Sequence, residues 1–301
     1  MLTKKRAILL VIMAIILIAA PILALSASVQ EGEDDEMCVI SLWQIDSFEG
    51  GRGSRAQYLQ NMADKCFEDK KVYVTVTSLS AQAARANMQA GIVPDIISYG
   101  AGFYGIENLV NAADFTYKCW CRGAYVLLSL DANTNFDDVG ASNTIVNAGK
   151  DNMTAACALF EGLAQADVSP PTSAYVSLLA GDYKFLLGTQ RDIYRLETRG
   201  VTYAAKVLTS FNDLYQNISV LCEGEKYYYS CEFVDYLTEN CLTVAELGLV
   251  SDKTAHTGVM AEVQNATFEC TLNGFIGNDY YNLLQAAVEK GDINSLKNLL
   301  K

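Results

Sequence analysis

The sequence predicts an α/β protein built on a mainly parallel sheet, and three observations predict it. From residue 38 onward, short apolar or β-branched runs alternate with segments of helical periodicity. The first five such segments read strand, helix, strand, helix, strand, an order that implies parallel strands covered by helices on both faces. Beyond Cys119 the alternation starts afresh, and about 270 residues remain after an N-terminal leader, enough for two lobes of ordinary domain size.

Residues 38–45 read as a buried strand. A polar turn bearing Gly50, Gly51 and Gly53 then leads into an amphipathic helix over 55–69. β-Branched residues recur with period two over 72–77, 81–90 is helical, and Pro94-Asp95-Ile96-Ile97-Ser98 reads as a short buried strand. In the second half, 123–130 is a strand, 144–146 a second strand candidate and 152–165 a helix. Pro170-Pro171 breaks the chain, 173–179 is a short helix, and 184–188 is a strand that runs into Thr189-Gln190-Arg191-Asp192 at the head of another helix. Residues 217–221 are β-prone, and helical patterns follow over 231–238, 243–247, 280–289 and 293–300.

Lys4, Lys5 and Arg6 precede an uncharged run over 7–25, the layout of an export leader. Its length suits a cleaved signal peptide or a retained membrane anchor over 1–28, and Ala24-Leu25-Ser26 and Ser26-Ala27-Ser28 both fit a signal-peptidase site. The expected location is therefore extracellular or at the cell surface. No lipid-modified cysteine is expected, because the first cysteine after the run is Cys38. Residues 29–37 form an acidic linker. With 35 acidic against 22 basic side chains, the surface repels nucleic acid and anionic lipid, which excludes both as partners. Nine cysteines cannot all pair within one chain, so at least one is free or pairs between molecules. A bridge within Cys119-Trp120-Cys121 would be strained. With a single histidine, His256, and no paired CxxC, no metal site is expected.

Open α/β sheets bind ligands at the carboxyl ends of their strands, where loops enter helices and backbone N–H groups are unpaired. Three such corners are rich here. One is Trp43-Gln44-Ile45-Asp46-Ser47-Phe48-Glu49-Gly50-Gly51-Arg52-Gly53-Ser54-Arg55, the second Ser98-Tyr99-Gly100-Ala101-Gly102-Phe103, and the third Gly188-Thr189-Gln190-Arg191-Asp192.

These corners carry a resemblance. Residues 43–55, residues 75–103 with Pro94-Asp95-Ile96-Ile97-Ser98-Tyr99-Gly100, then Trp120-Cys121-Arg122-Gly123-Ala124-Tyr125, then Leu186-Leu187-Gly188-Thr189-Gln190-Arg191-Asp192-Ile193-Tyr194-Arg195 together resemble extracellular solute-binding proteins of clostridial ABC importers. The resemblance runs from 38 to about 249 and is to the carbohydrate-type branch of the class II periplasmic-binding-protein fold. It implies a two-lobed receptor, with 38–118 plus 211–301 as lobe 1 and 119–210 as lobe 2. The hinge crossings would lie near 117–122 and 210–214. It implies a monomer that takes up a small polar solute, most simply a sugar or oligosaccharide, and passes it to the permease subunits, without cofactor or catalysis. The implied ligand contacts are Trp43, Asp46, Glu49, Arg52, Tyr99, Phe103, Trp120, Arg122, Gln190 and Arg191.

The residue chemistry supports roles of this kind. Aromatic faces of Trp43, Tyr99, Phe103 and Trp120 would carry the C–H side of a sugar, while carboxylates and guanidinium groups take its hydroxyls. Arg52, Arg122 and Arg191 equally suit an anionic solute. Plainer readings stand beside these. Trp43 and Trp120 can simply fill the core, Asp46 or Ser47 can cap the next helix, and Asp192 suits the first turn of the helix it opens. Enzyme classes fare poorly: a Ser–His or Cys–His nucleophile would have to recruit His256, and Asp46 and Glu49 share one loop. A surface sensor or adhesion component with the same fold but no importer is the remaining alternative.

Overall fold

The computed structural model describes residues 38–45, 54–100, 103, 106, 118–147, 163–209 and 214–269, with isolated positions over 286–295. The leader, the acidic linker and most of the segments expected as helices over 152–165, 280–289 and 293–300 lie outside the described residues. Among the described residues, no helix is long and apolar enough to cross a membrane.

Two five-stranded sheets organise the rest. The first has strand order β2-β1-β3-β10-β4 and comprises β1 (Val39–Ile45), β2 (Tyr73–Leu79), β3 (Ile96–Gly100), β10 (Tyr215–Val220) and β4 (Lys118–Arg122). The second has the order β7-β6-β8-β5-β9, from β5 (Tyr125–Ser129), β6 (Thr144–Asn147), β7 (Asp167–Ser169), β8 (Phe185–Thr189) and β9 (Ala204–Val207). In each, the second strand of the order, β1 or β6, pairs in parallel with both of its neighbours, and the central strand, β3 or β8, pairs antiparallel with the strand on its other side, β10 or β5. The sheets are thus mixed rather than mainly parallel. The reason is connectivity: β10 enters the first sheet, and β5 the second, on a chain that has just passed over from the other sheet, so each arrives running the opposite way.

Helices cover the sheets where the apolar spacing demands. Helix α1 (Arg55–Lys70) buries Leu59, Met62, Ala63 and Cys66, one face at helical spacing. Ser54 caps it by accepting the Gln57 N–H at 3.1 Å, and Lys71 ends it in the left-handed region at φ 62°. Helix α5 (Glu225–Asn240) buries Ser230, Phe233, Val234 and Leu237 in the same way, and both helices share a core with Ile40, Leu42, Ile96 and Ile218. Helix α2 (Ala81–Gln89) lies over the opposite face, where Ala84 and Met88 pack with Trp43, Ile97 and Tyr99. On the second sheet, α3 (Pro171–Ala180) and α4 (Gln190–Thr198) pack with α6 (Val259–Glu269) around Val126, Leu128 and Leu186.

Asp95 ties the first sheet to α5. Its carboxylate accepts the Ser41 N–H at 2.8 Å, the Ser41 hydroxyl at 2.7 Å and the Lys226 ammonium at 3.0 Å. Burial alone would raise its pKa, but the Ser41 hydrogen bonds and Lys226 outweigh it and hold the carboxyl below the usual range.

The chain passes between the sheets at three places that lie side by side. Arg122 to Ala124 leads from β4 to β5, residues 208–214 lead from β9 to β10, and a third pass follows α5. There Leu249 packs in the core of the first sheet, while Val250, Val263 and Ala266 pack in that of the second. The Val250 N–H donates to the Arg122 carbonyl at 2.9 Å, and the Gly123 N–H donates to the Leu214 carbonyl. Lys118–Arg122 thus completes the first sheet, and Val250, Val263 and Ala266 pack on the second. Residues 243–247, expected as helix, form one 3-10 turn at Ala245–Leu247.

Cys38, Cys66, Cys119, Cys222, Cys231 and Cys241 are free thiols. Burial pushes the Cys66 thiol up to about 11, and it raises that of Cys119 against the opposing effect of the Arg122 guanidinium. Among the described residues, no group of three or more His, Cys, Asp or Glu side chains is arranged to hold a metal ion.

Candidate functional site

Of the three glycine-bearing corners, the first falls in a part of the chain that is not described. Asp46, Glu49 and Arg52 lie outside the described residues. What the structure shows there is the end of β1, where Trp43 is 7 % exposed and packs with Ile45, Ile97, Tyr99 and Phe103.

At the second corner, the Tyr99 and Phe103 rings meet at 6.2 Å and 45°, and the Tyr99 hydroxyl lies 3.4 Å from that of Ser219. Both rings are buried. Trp120, on the other face of the sheet, is 4 % exposed; its ring stacks on Tyr58 at 5.9 Å and 8°, and its Nε1–H donates to Ser98 Oγ at 2.9 Å. A register shift at Gln216/Asn217 gives Trp120 no partner in β10, and Trp120 and Cys121 both turn into the core beneath α1 and α5.

The third corner is fully described. Thr189 is the N-cap of α4, and Asp192 Oδ2 accepts the Thr189 N–H at 3.1 Å, closing a capping box. Arg195 donates to Asp192 Oδ1 at 2.9 Å, and Asn147 Nδ2 lies 3.5 Å from Oδ2. Desolvation raises the pKa of this buried carboxyl, and its hydrogen bonds and Arg195 oppose the rise. Gly188 makes the arrangement possible: a Cβ there would come within 2.3 Å of Asp192 Oδ2. Asp192 therefore serves the helix start. Gln190 is 2 % exposed, and both ends of its amide are engaged by main chain: Oε1 accepts the Ala124 N–H at 2.8 Å, and Nε2 donates to the Gly248 carbonyl at 2.9 Å. Arg191, next in the helix, is half-buried, as is Arg122 at the end of β4.

Sequence reasoning missed a polar network beside the passes. Gln44, Ser98 and Gln216 are all buried: Gln44 Nε2 donates to Gln216 Oε1 at 3.1 Å, and the Ser98 hydroxyl donates to the same oxygen at 3.4 Å. Gln44 Oε1 has no hydrogen-bond partner, and neither does Asn217 Nδ2, next to Gln216 in β10. Buried amides left incomplete are costly, so strand-end groups of this kind mark a place where polarity is retained against stability. The available signal was a glutamine interrupting the apolar strand Val39–Ile45.

No family model matches the sequence, and no curated protein is significantly similar to it. Solved structures do match. The substrate-binding domain assigned to a molybdenum ABC transporter of Clostridium difficile aligns over 71 % of this chain and 98 % of its own, at 12 % identity and a TM-score of 0.51. Iron-bound HitA from Pseudomonas aeruginosa aligns over 84 % of this chain and 99 % of its own, at 10 % identity and a TM-score of 0.50. The fold is the two-lobed class II periplasmic-binding-protein fold.

Within that class II fold, the sites of interest are the β1, β3 and β8 ends and the three passes. The structure brings Trp43, Tyr99 and Phe103 together in one packed cluster, places Trp120 in a separate core, and sets Gln190 and Arg122 at the passes.

Proposed function

We propose that the chain is an exported solute-binding receptor that closes two lobes over a small polar solute and delivers it to the permease of an ABC importer. The observation that carries this reading is the pair of sheets with matching strand order, joined through passes bundled at one place. Such a layout suits a hinge whose closed state gains ligand contacts that the open state lacks. Lobe 1 is taken as 38–122 with 214–249, and lobe 2 as 124–208 with 250–266. The leader over 1–28 directs the protein out of the cytoplasm, where the lobes work at the cell surface or beyond it. No catalytic step is assigned. His256, whose Nε2 lies 3.0 Å from the Thr243 hydroxyl, belongs to the loop before α6.

A sugar or oligosaccharide is the solute class that the polar loop residues Asp46, Glu49 and Arg52 suit. The burial of Trp43, Tyr99, Phe103 and Trp120 to 7 % exposure or less favours a second reading, a small anion, because these rings present little face to a sugar. Arg191 in the first turn of α4 and Arg122 at the passes supply the positive charge for that reading. Of the two solved neighbours, the one assigned to molybdenum transport lends it support.

A thermal-shift screen against sugars, organic acids, inorganic oxyanions, ferric citrate and short peptides tests both. A cognate solute at 100 times its Kd adds about 2.7 kcal/mol, which raises the melting temperature of a chain of this size by roughly 5–10 °C. A panel in which nothing moves the melting point by more than about 1 °C would refute the receptor reading.

A further inference from the structure

We propose that Gln190 is a positioning residue of the hinge: its amide latches lobe 2 to the pass leaving α5 and so sets the angle at which the lobes rest. This rests on the two-lobe reading given above. Gln190 stands at the first position of α4, in lobe 2, and reaches across to two other stretches of chain. Its Oε1 accepts the N–H of Ala124, where the chain has just entered lobe 2, at 2.8 Å. Its Nε2 donates to the carbonyl of Gly248, where the chain is about to leave lobe 1, at 2.9 Å. One uncharged side chain thereby spans the first pass and the third.

The surroundings are shaped to admit it. A Cβ on Gly123 would lie 2.7 Å from Gln190 Nε2 and 3.1 Å from Oε1, so any side chain there would displace the amide. A Cβ on Gly248 would lie 3.3 Å from Nε2, and that residue sits at φ +65°, where side chains are disfavoured in any case. The passes themselves are cross-linked next to the amide, through Val250 N–H to the Arg122 carbonyl and Gly123 N–H to the Leu214 carbonyl. A swing of the lobes must rotate main chain at these residues, so a bond from α4 to Gly248 opposes any motion that separates them. Because both hydrogen-bonding ends of the amide are used on main chain, Gln190 acts on the solute through the hinge and not by touching it.

Hydrogen exchange and small-angle scattering on the full chain without solute test this, using Gln190→Met, which keeps the bulk and loses both bonds, and Gly123→Ala, which pushes the amide aside. The expected result in both variants is exchange about fivefold to tenfold faster at the amides of 123, 124 and 250, with core amides such as those of Leu42 and Leu127 unchanged. A changed radius of gyration accompanies it. Variants whose pass amides exchange as in the unaltered protein would overturn the latch, as would protection lost evenly throughout both sheets. The unaltered protein separates this failure from that of the parent reading. Pass amides protected as strongly as core amides would overturn hinge and latch together, whereas a labile hinge that ignores both substitutions overturns the latch alone.

Discussion

Replacing Trp120 separates a core ring from a ligand platform. Trp120→Ala removes a side chain that is 4 % exposed, stacked on Tyr58 and donating its N–H to Ser98. Large-to-small changes of a buried tryptophan cost about 3–5 kcal/mol, within which an aromatic pair of this kind contributes roughly 0.5–1.5 kcal/mol. Losing the Ser98 contact adds about 1 kcal/mol, because the Ser98 oxygen then loses a donor in a buried site. The expected total is about 4–6 kcal/mol. Trp120→Phe keeps most of the stacking area and loses the N–H, so about 1–2 kcal/mol is expected. Urea unfolding followed by far-ultraviolet circular dichroism measures both, with the midpoint shift read at constant slope. An alanine variant that unfolds at the midpoint of the unaltered protein, yet no longer binds the solute found in the thermal screen, would put the ring at the ligand and refute the core assignment.

Asp95→Asn should cost about 2–3 kcal/mol at neutral pH, with the Lys226 share discounted because that ammonium is half exposed. Since the folded pKa of Asp95 is depressed, its stabilisation is fully present above the unfolded value of about 3.9 and is lost as pH falls through the lower folded value. Urea midpoints of the two proteins, separated at pH 6, should therefore converge toward pH 2; a gap that stays constant would contradict the assignment. Gly188→Ala should destabilise by about 2–4 kcal/mol, because the new methyl displaces the buried Asp192 carboxylate from the Thr189 N–H and from Arg195. A variant as stable as the parent in the same unfolding assay would show that α4 can shift to accommodate it.

The parts of the fold that could be read from the sequence were those set by local pattern. The strands near 38–45, 96–98 and 184–188 and the helix after Ser54 declare themselves by apolar period and by capping chemistry, and the structure has them. Lys118–Arg122 escaped notice as a strand because its alternation is broken by the bulge at Trp120, and Ala204–Val207 because it carries no β-rich run longer than four residues. The mixed character of both sheets is set by pairings between residues distant in sequence, such as Ile218 with Ser98 and Leu127 with Leu187, which no local window senses. At the candidate site, residue type was legible and direction was not. Trp43 and Gln44 are neighbours on one strand, yet the first turns into an aromatic cluster and the second into the polar network with Gln216. Gln190 was conspicuous at the head of a helix, but its two main-chain partners lie 66 and 58 residues away in sequence.

The placement of β10 bears on how the molecule is made. Strands β1 to β3 are synthesised early, but β10 comes from 215–220, and β4 is joined to the first sheet through β10 alone among the described strands. Every strand of the second sheet lies between those two events. During synthesis the inserted half can therefore assemble its pairing before the half that emerged ahead of it, and a chain released short of residue 215 would carry an open edge on β3.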